Sequence, residues 1–341
     1  MRKEINILST LDLTEEQRSQ IAAVSEDIQL TVIPSVGVEN VPKEKWEEVN
    51  VLYTRNVFPL PEQAPGLKWI QLQSVGVDSF LDQPILQQKG LITTSMSGVI
   101  MNQVAEYVLM AILALNRKLP QLYRYQQERK WPKQTEKYQR LIPQELRSST
   151  VGIVGYGSIG RQVARLLHSL DVTILAAKKH GMEPEDKDFT QEGMGDPHGD
   201  YFDRLYPIEA LHSLLRESDF VVLTVPLTEA THHLMDEDAF LAMKSSAYLI
   251  NVGRGALVDQ EALVAALESR QIAGAALDVF EEEPLPEDSP LWALPNVILS
   301  PHIAGLSQNL PEETFSFFLE NLQRHVEGLP LYNEVDLSEG Y

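Results

Sequence analysis

The chain has no cysteine, which excludes disulfides, thiolate nucleophiles and Cys-ligated metals. A reducing cytoplasm is the expected location. Positive charge is scarce: 28 Lys and Arg stand against 49 Asp and Glu, a net charge of −21. So acidic a surface repels the phosphates of nucleic acids and anionic membranes, and neither is expected as a partner. Long apolar runs are also missing. The most apolar stretch, Val104–Leu115, is broken by Glu106 and falls well short of the ~20 residues that span a bilayer. The opening MRKEINILST has no apolar h-region, so no secretory signal is expected.

What is present suffices for two buried cores: 341 residues, 43% of them hydrophobic. The chain turns on Thr150–Gly160, TVGIVGYGSIG. A short apolar run feeds Gly155-Tyr156-Gly157-Ser158-Ile159-Gly160, and an amphipathic segment, Arg161–Leu170, follows at once. This reads as strand, tight turn and helix start. The first glycine permits the turn, the second lets backbone approach a pyrophosphate, and the third lets helix and strand pack closely. Free N–H groups at the helix start suit phosphates.

Either side of this motif, strand-like runs alternate with helical patterns. Before it, strands are expected at Ile5–Leu8, Ile28–Ile33, Val49–Tyr53, Lys68–Leu72 and Leu91–Thr94, with a helix over Thr14–Val24. Asn102–Lys118 reads as a helix apolar almost all round, hence buried on two sides. Gln121–Trp131 continues as a helix, and Lys133–Gln144, bracketed by Pro132 and Pro143, reads as a loop. After it, strands are expected at Val151–Val154, Val172–Ala176, Phe220–Val225, Ala247–Asn251, Ala273–Asp278 and Val297–Ser300, with helices over Ile208–Glu217, Gln260–Ser269 and Ser307–Glu327. The fold class is α/β, with two doubly wound parallel-sheet domains. The segment Gly181–Pro207, with four Gly, three Pro and eight acids, reads as a solvated loop.

Three further stretches each follow a strand of the second domain: Asn251–Asp259, Leu277–Pro284 and Ser300–Gly305. They place Arg254, Glu283 and His302 along one sheet edge. A guanidinium binds a carboxylate bidentately, an imidazole shuttles a proton, and a carboxylate beside it stabilises the charged ring. Reduction of a 2-keto acid requires that set. His232 and His233 are adjacent, and an extended segment would send them to opposite sides, so no metal site is expected.

Together these motifs resemble the D-isomer-specific 2-hydroxyacid dehydrogenases. GYGSIGR, VPLTEATHHL, LINVGRGALVD, ALDVFEEEPLPEDSPLW and LPNVILSPHIAG occur in that family's order, and the similarity runs from about Gln71 to the C-terminus. The resemblance implies a flavodoxin-like substrate domain, residues 1–98 and 305–341, into which a Rossmann dinucleotide-binding domain, residues 99–304, is inserted. Arg254, Glu283 and His302 fall on the catalytic positions, and Asp278 on the acid that contacts the nicotinamide carboxamide. Gly155, Tyr156, Gly157, Ser158, Ile159, Gly160, Pro226, Thr231, Val252 and Gly305 fall on further cofactor positions. Backbone N–H groups at Val75 and Gly76, with Arg254, would hold the substrate carboxylate, and Tyr53, Arg55 or Leu72 would shape the rest of that pocket. Asn102–Arg117 would join the domains and help form a homodimer.

One position departs from the NAD-using members. They carry an acid about 20 residues past the glycine motif to bind the adenosine ribose hydroxyls. Here the run is Ala176-Ala177-Lys178-Lys179-His180, so Lys178 and Lys179 favour NADP(H), with NAD(H) as the alternative. The expected activity is hydride transfer between NAD(P)H and a small 2-keto acid, of the glyoxylate or hydroxypyruvate reductase kind, with water excluded as the domains close. A nucleotide-sensing co-repressor of the same fold is the alternative. A formate-oxidising member is disfavoured, because those enzymes carry Gln where this chain has Glu283.

Overall fold

A computed structural model describes residues 4–179, 183–186 and 189–341. The chain forms two compact units, Met1–Ile100 with Ser307–Tyr341, and Met101–Leu306.

In the first unit five short strands make one parallel sheet: β1 (Ile5–Ser9), β2 (Ile28–Val32), β3 (Val51–Thr54), β4 (Trp69–Leu72) and β5 (Ile92–Thr94). Their order, β2-β1-β3-β4-β5, is the flavodoxin-like order. Helix α1 (Glu15–Val24) starts on a capping box in which Thr14 and Gln17 bond each other's backbone N–H groups. Helix α2 (Lys43–Glu48) seats Trp46 in the core beside Leu52 and Ile70. The C-terminal segment belongs to this unit. Asn321 of its long helix reaches both Gln71 of β4 and the Tyr332 backbone, and Phe318 stacks on Tyr53 with ring centroids 4.1 Å apart. Tyr53 and Leu72 are therefore buried in the core of this unit, and Arg55 is exposed.

The second unit opens with three helices, α3 (Met101–Asn116), α4 (Leu119–Gln127) and α5 (Gln134–Arg140). Helix α3 is not buried all round, because Met110 and Leu113 are exposed. Helix α5 lies where a loop was expected: Pro132 and Pro143 bracket it, and Glu136 caps its start through the Lys133 N–H. Then come β6 (Thr150–Val154), α6 (Ser158–His168), β7 (Thr173–Lys178), β8 (Arg204–Pro207), α7 (Leu211–Glu217), β9 (Phe220–Leu223), α8 (Glu237–Ala242), β10 (Tyr248–Asn251), α9 (Gln260–Glu268), β11 (Gly274–Leu277) and β12 (Val297–Leu299). The strands order as β12-β11-β10-β9-β6-β7-β8, the Rossmann order with one further strand. Apolar clusters cover both faces of this sheet, as an all-parallel sheet requires. The last helix of the first unit is α10 (Leu310–Glu327), closed by Gly328 at φ 72°.

All eleven strands expected from sequence are present; the twelfth, β8, lies inside the segment expected to be a solvated loop. That segment is also partly buried: Asp196 is 1% exposed. Its glycines and acids mimic a disordered composition, yet several of them are tied down by hydrogen bonds. No helix among the described residues is long and apolar enough to cross a membrane.

Candidate active site

The glycine turn sits where the sheet order reverses, between β6 and its neighbours β7 and β9. Gly155 has φ 104°, and a Cβ there would lie 2.7 Å from the Val225 backbone N. A Cβ on Gly160 would lie 2.1 Å from the Gly155 carbonyl oxygen, so helix and turn are in direct contact. Gly157 differs: a Cβ there meets nothing within 4 Å. No side chain caps the start of α6. Two crowded glycines and one that faces open space, before an uncapped helix start, fit a dinucleotide pyrophosphate. Sequence reasoning missed Thr224, whose hydroxyl donates to the Gly155 carbonyl at 2.7 Å and braces the turn from β9. The stretch VVLTVP carried no signal for that role.

Arg254, Glu283 and His302 follow β10, β11 and β12, three adjacent strands, and so line up beyond one end of the sheet. Asn251 shapes the Arg254 turn: its amide donates to the Arg254 carbonyl at 2.8 Å, and its oxygen accepts the Gly253 N–H at 3.1 Å. Gly255 is obligatory here, because a Cβ would lie 1.8 Å from the Phe280 carbonyl carbon. The turn that carries Arg254 thus abuts the backbone of the loop that carries Glu283. In that loop Glu283 Oε1 accepts the Phe280 N–H at 3.1 Å, and Oε2 lies 2.8 Å from His302 Nδ1. With Nδ1 engaged by a carboxylate, the transferable proton of His302 is the one on Nε2. The His302 side chain is half exposed.

Asp278 is 1% exposed, and its carboxylate accepts from Ser300 Oγ at 2.6 Å, the Ile303 N–H at 2.9 Å and the Ala304 N–H at 2.8 Å. Its carbonyl also accepts the His302 N–H at 2.8 Å. Three of about four acceptor sites on the carboxylate are therefore spent on the loop that presents His302. Tyr107 on α3 extends the chain, with its hydroxyl 2.6 Å from Ser300 Oγ. Burial raises the Tyr107 pKa, so its phenol stays protonated. Nothing in the sequence pattern of α3 pointed to Tyr107.

The other expected positions divide. Pro226, Thr231, Val252 and Gly305 lie in turns beyond the ends of β9, β10 and β12, and the Thr231 hydroxyl donates to the Pro226 carbonyl at 2.7 Å. Lys178 ends β7 and Lys179 follows it, exposed; His180 lies outside the described residues. Val75 and Gly76 lie in the other unit, in a half-buried loop after β4 that is anchored by the Met96 N–H to the Ser74 carbonyl. His232 and His233 do not point to opposite sides. His233 is left-handed at φ 50°, so the rings stack with centroids 4.0 Å apart, and His233 Nε2 lies 2.7 Å from Glu281 Oε1.

The sequence model for the D-isomer specific 2-hydroxyacid dehydrogenase NAD-binding domain matches residues 109–304. A glyoxylate reductase of Thermofilum pendens is 39% identical over 72% of this chain and 67% of its own. A glyoxylate/hydroxypyruvate reductase B of Citrobacter koseri is 35% identical over 79% of this chain and 78% of its own. Among solved structures, a D-isomer specific 2-hydroxyacid dehydrogenase from Xanthobacter autotrophicus Py2, in complex with NADPH and MES, is 28% identical, covers 100% of both chains and superposes with a TM-score of 0.79. The chain belongs to the D-isomer-specific 2-hydroxyacid dehydrogenase family and is an NAD(P)-dependent oxidoreductase.

Proposed function

We propose that this protein reduces a small 2-keto acid, of the glyoxylate or hydroxypyruvate class, to the D-2-hydroxy acid, with NADPH preferred to NADH. The observation that carries this is the 2.8 Å contact between Glu283 and His302, on a loop that abuts the Arg254 turn. The names of the similar reductases support the substrate class. The second unit, holding the glycine turn, is the dinucleotide domain, and the first is the substrate domain.

A nicotinamide dinucleotide, held by its pyrophosphate at the glycine turn, would supply the hydride for C2 of the keto acid. His302 then supplies the proton for the keto oxygen from Nε2, so that C=O becomes CH–OH. Glu283 holds Nδ1 and stabilises the imidazolium. Arg254 polarises the keto oxygen and pairs with the substrate carboxylate. Val75 and Gly76, in the first unit, are assigned to the substrate through their backbone N–H groups. Residues 155–160, Pro226, Thr231, Val252 and Gly305 are assigned to the dinucleotide, with Lys178 and Lys179 on its 2′-phosphate. Asp278 is assigned both to the carboxamide, through its remaining acceptor site, and to the shape of the His302 loop. A cytoplasmic location is part of the proposal, since a chain without cysteine suits a reducing compartment.

The test is a panel of 2-keto acids assayed with NADPH and with NADH, followed by nicotinamide absorbance. Turnover of glyoxylate or hydroxypyruvate is the expected result. Tight dinucleotide binding without turnover of any keto acid would turn the reading to the co-repressor-like sensor. Glu283→Gln sharpens the assignment: the amide keeps a hydrogen bond to the ring but no longer balances its charge. It should lower kcat ~10-fold or more and leave the KM for the dinucleotide unchanged. An unchanged kcat would remove Glu283 from the proton transfer.

We also propose that the enzyme is a homodimer joined through α4 and α5. Leu119, Leu122, Tyr123, Trp131, Tyr138 and Ile142 are all exposed there, with Trp131 84% exposed. They border two grooves of about 710 and 820 Å³, the first of which continues onto Met110 and Leu294. Apolar side chains in such number on one face of an acidic protein call for a covering surface, and a second copy is the occupant the family resemblance favours. Light scattering should give a dimer for the wild type and a monomer for Trp131→Glu with Tyr138→Glu. A monomeric wild type would refute the proposal.

A further inference from the structure

The acidic segment between β7 and β8 has no part in the chemistry above, yet it is bonded to the glycine motif itself. Tyr156 stands between the first two glycines, and its ring is 3% exposed. Its hydroxyl donates to Asp196 Oδ2 at 2.6 Å. The buried Asp196 carboxylate also accepts the Asp200 N–H at 2.7 Å and the Tyr201 N–H at 3.2 Å. One face of the Tyr156 ring lies 4.8 Å from the Arg161 guanidinium, and Phe202 meets the ring edge-on at 5.3 Å.

Arg161 and Gln162, the fourth and fifth residues of α6, are spent the same way. Arg161 is 1% exposed and donates to the carbonyls of Pro184 at 2.8 Å, Glu185 at 3.3 Å and Asp196. Its Nε lies 2.9 Å from Asp186 Oδ2, close enough for an ion pair but without the alignment of a hydrogen bond. Gln162 accepts the Gly195 N–H at 2.7 Å and donates to Asn102 Oδ1 at 2.9 Å.

This arrangement matters because of what flanks Tyr156. Glycine on either side gives the turn no neighbouring side chain by which the Tyr156 backbone could be anchored. The Tyr156 side chain is the handle by which that backbone can be held. Burial and the bond to Asp196 both raise the phenol pKa, so the hydroxyl remains a donor. A carboxylate buried under the turn is costly unless each of its donors stays in place, so Asp196 rewards one geometry and penalises others.

We propose that the inserted segment is a positioning device for the dinucleotide site, with Asp196 acting through Tyr156 to fix the backbone between Gly155 and Gly157. This rests on the dinucleotide reading of that turn. Asp196 touches no reacting atom and is a positioning residue.

The test is NADPH binding to the full-length protein by calorimetry, without keto acid, in wild type, Tyr156→Phe and Asp196→Asn. Tyr156→Phe removes only the hydroxyl; in Asp196→Asn the amide NH2 must face at least one donor. Each variant should weaken binding about 10-fold, equivalent to ~1.4 kcal/mol, with the stoichiometry unchanged. A merely structural role would instead lower the stoichiometry and leave the Kd of the folded fraction alone. An unchanged Kd in either folded variant overturns the proposal, and if Asp196→Asn fails to fold, Tyr156→Phe decides alone. Wild type that binds neither NADPH nor NADH would overturn the dinucleotide reading itself, an outcome distinct from wild-type binding that both variants share.

Discussion

Replacing His302 with alanine should lower kcat by ~10²–10⁴-fold, about 3–5 kcal/mol of transition-state stabilisation, while NADPH binds as before. The site geometry sets this expectation. His302 is held by its backbone N–H on the Asp278 carbonyl and by Nδ1 on Glu283, which leaves Nε2 as the proton donor. No other imidazole lies on this loop. One complication is conformational. His302 has φ 54°, a left-handed conformation that costs a non-glycine residue roughly 1–2 kcal/mol. Alanine there could shift the loop as well as remove the acid. His302→Asn separates the two effects, because asparagine tolerates this conformation but cannot donate a labile proton in the same way. Equal losses in both variants assign the effect to the lost acid. A much larger loss in alanine assigns part of it to the loop. Near wild-type turnover in either variant would remove His302 from the mechanism.

The residues expected to do the chemistry were legible because strand ends are legible. Arg254, Glu283 and His302 each follow a short apolar run, and parallel strands place such residues at a common edge. The contacts that fix their geometry were not legible. Gly255 reads as one more glycine in Gly253-Arg254-Gly255, yet it is required by the Phe280 backbone, which follows a different strand. Tyr107 and Ser300 are separated by 193 positions, and neither residue type announces a hydrogen bond to the other.

Composition misled most where a segment is tied down by polar contacts instead of an apolar core. Gly181–Pro207 has the glycine, proline and acid content of a solvated loop, and periodicity has nothing to detect in it. What holds its described residues is a buried carboxylate, a guanidinium on three backbone carbonyls, and the short strand β8. The helix α5 was missed for a related reason. Its face is polar and its prolines were read as breakers, although they only bracket it. The placement of His232 and His233 on opposite sides assumed extended backbone; a left-handed His233 stacks the two rings instead.

Lys178→Asp should remove most of a preference for NADPH over NADH. The last residues of β7 lie beside the glycine turn: Ala177 pairs with Val154, and its carbonyl accepts the Gly155 N–H at 2.9 Å. Lys178 is therefore the next residue out from the turn. In NAD-type sites an acid near this position accepts hydrogen bonds from both ribose hydroxyls and repels a 2′-phosphate. Here two ammonium groups replace it, and the phosphate brings close to two negative charges. A few charge-assisted contacts are worth roughly 1–3 kcal/mol, or about 5- to 150-fold in affinity. Solvent screening moves the expectation toward the lower half of that range, since Lys178 is only half-buried and Lys179 is exposed. The competing reading is a lysine that merely closes the strand. The Lys178 ammonium does donate to the Glu183 carbonyl oxygen at 3.3 Å, but that is a long bond to a neutral group, easily exchanged for a phosphate. The substitution removes a cation and restores the acid at one stroke, so both effects on the cofactor ratio have the same sign. The measurement is kcat/KM for NADPH and for NADH on one good keto acid, in wild type and variant. Wild type should favour NADPH, and the ratio should fall ~10-fold or more in Lys178→Asp, with the NADH value held or improved. An unchanged ratio, or equal use of both cofactors by wild type, would show that these lysines do not read the phosphate.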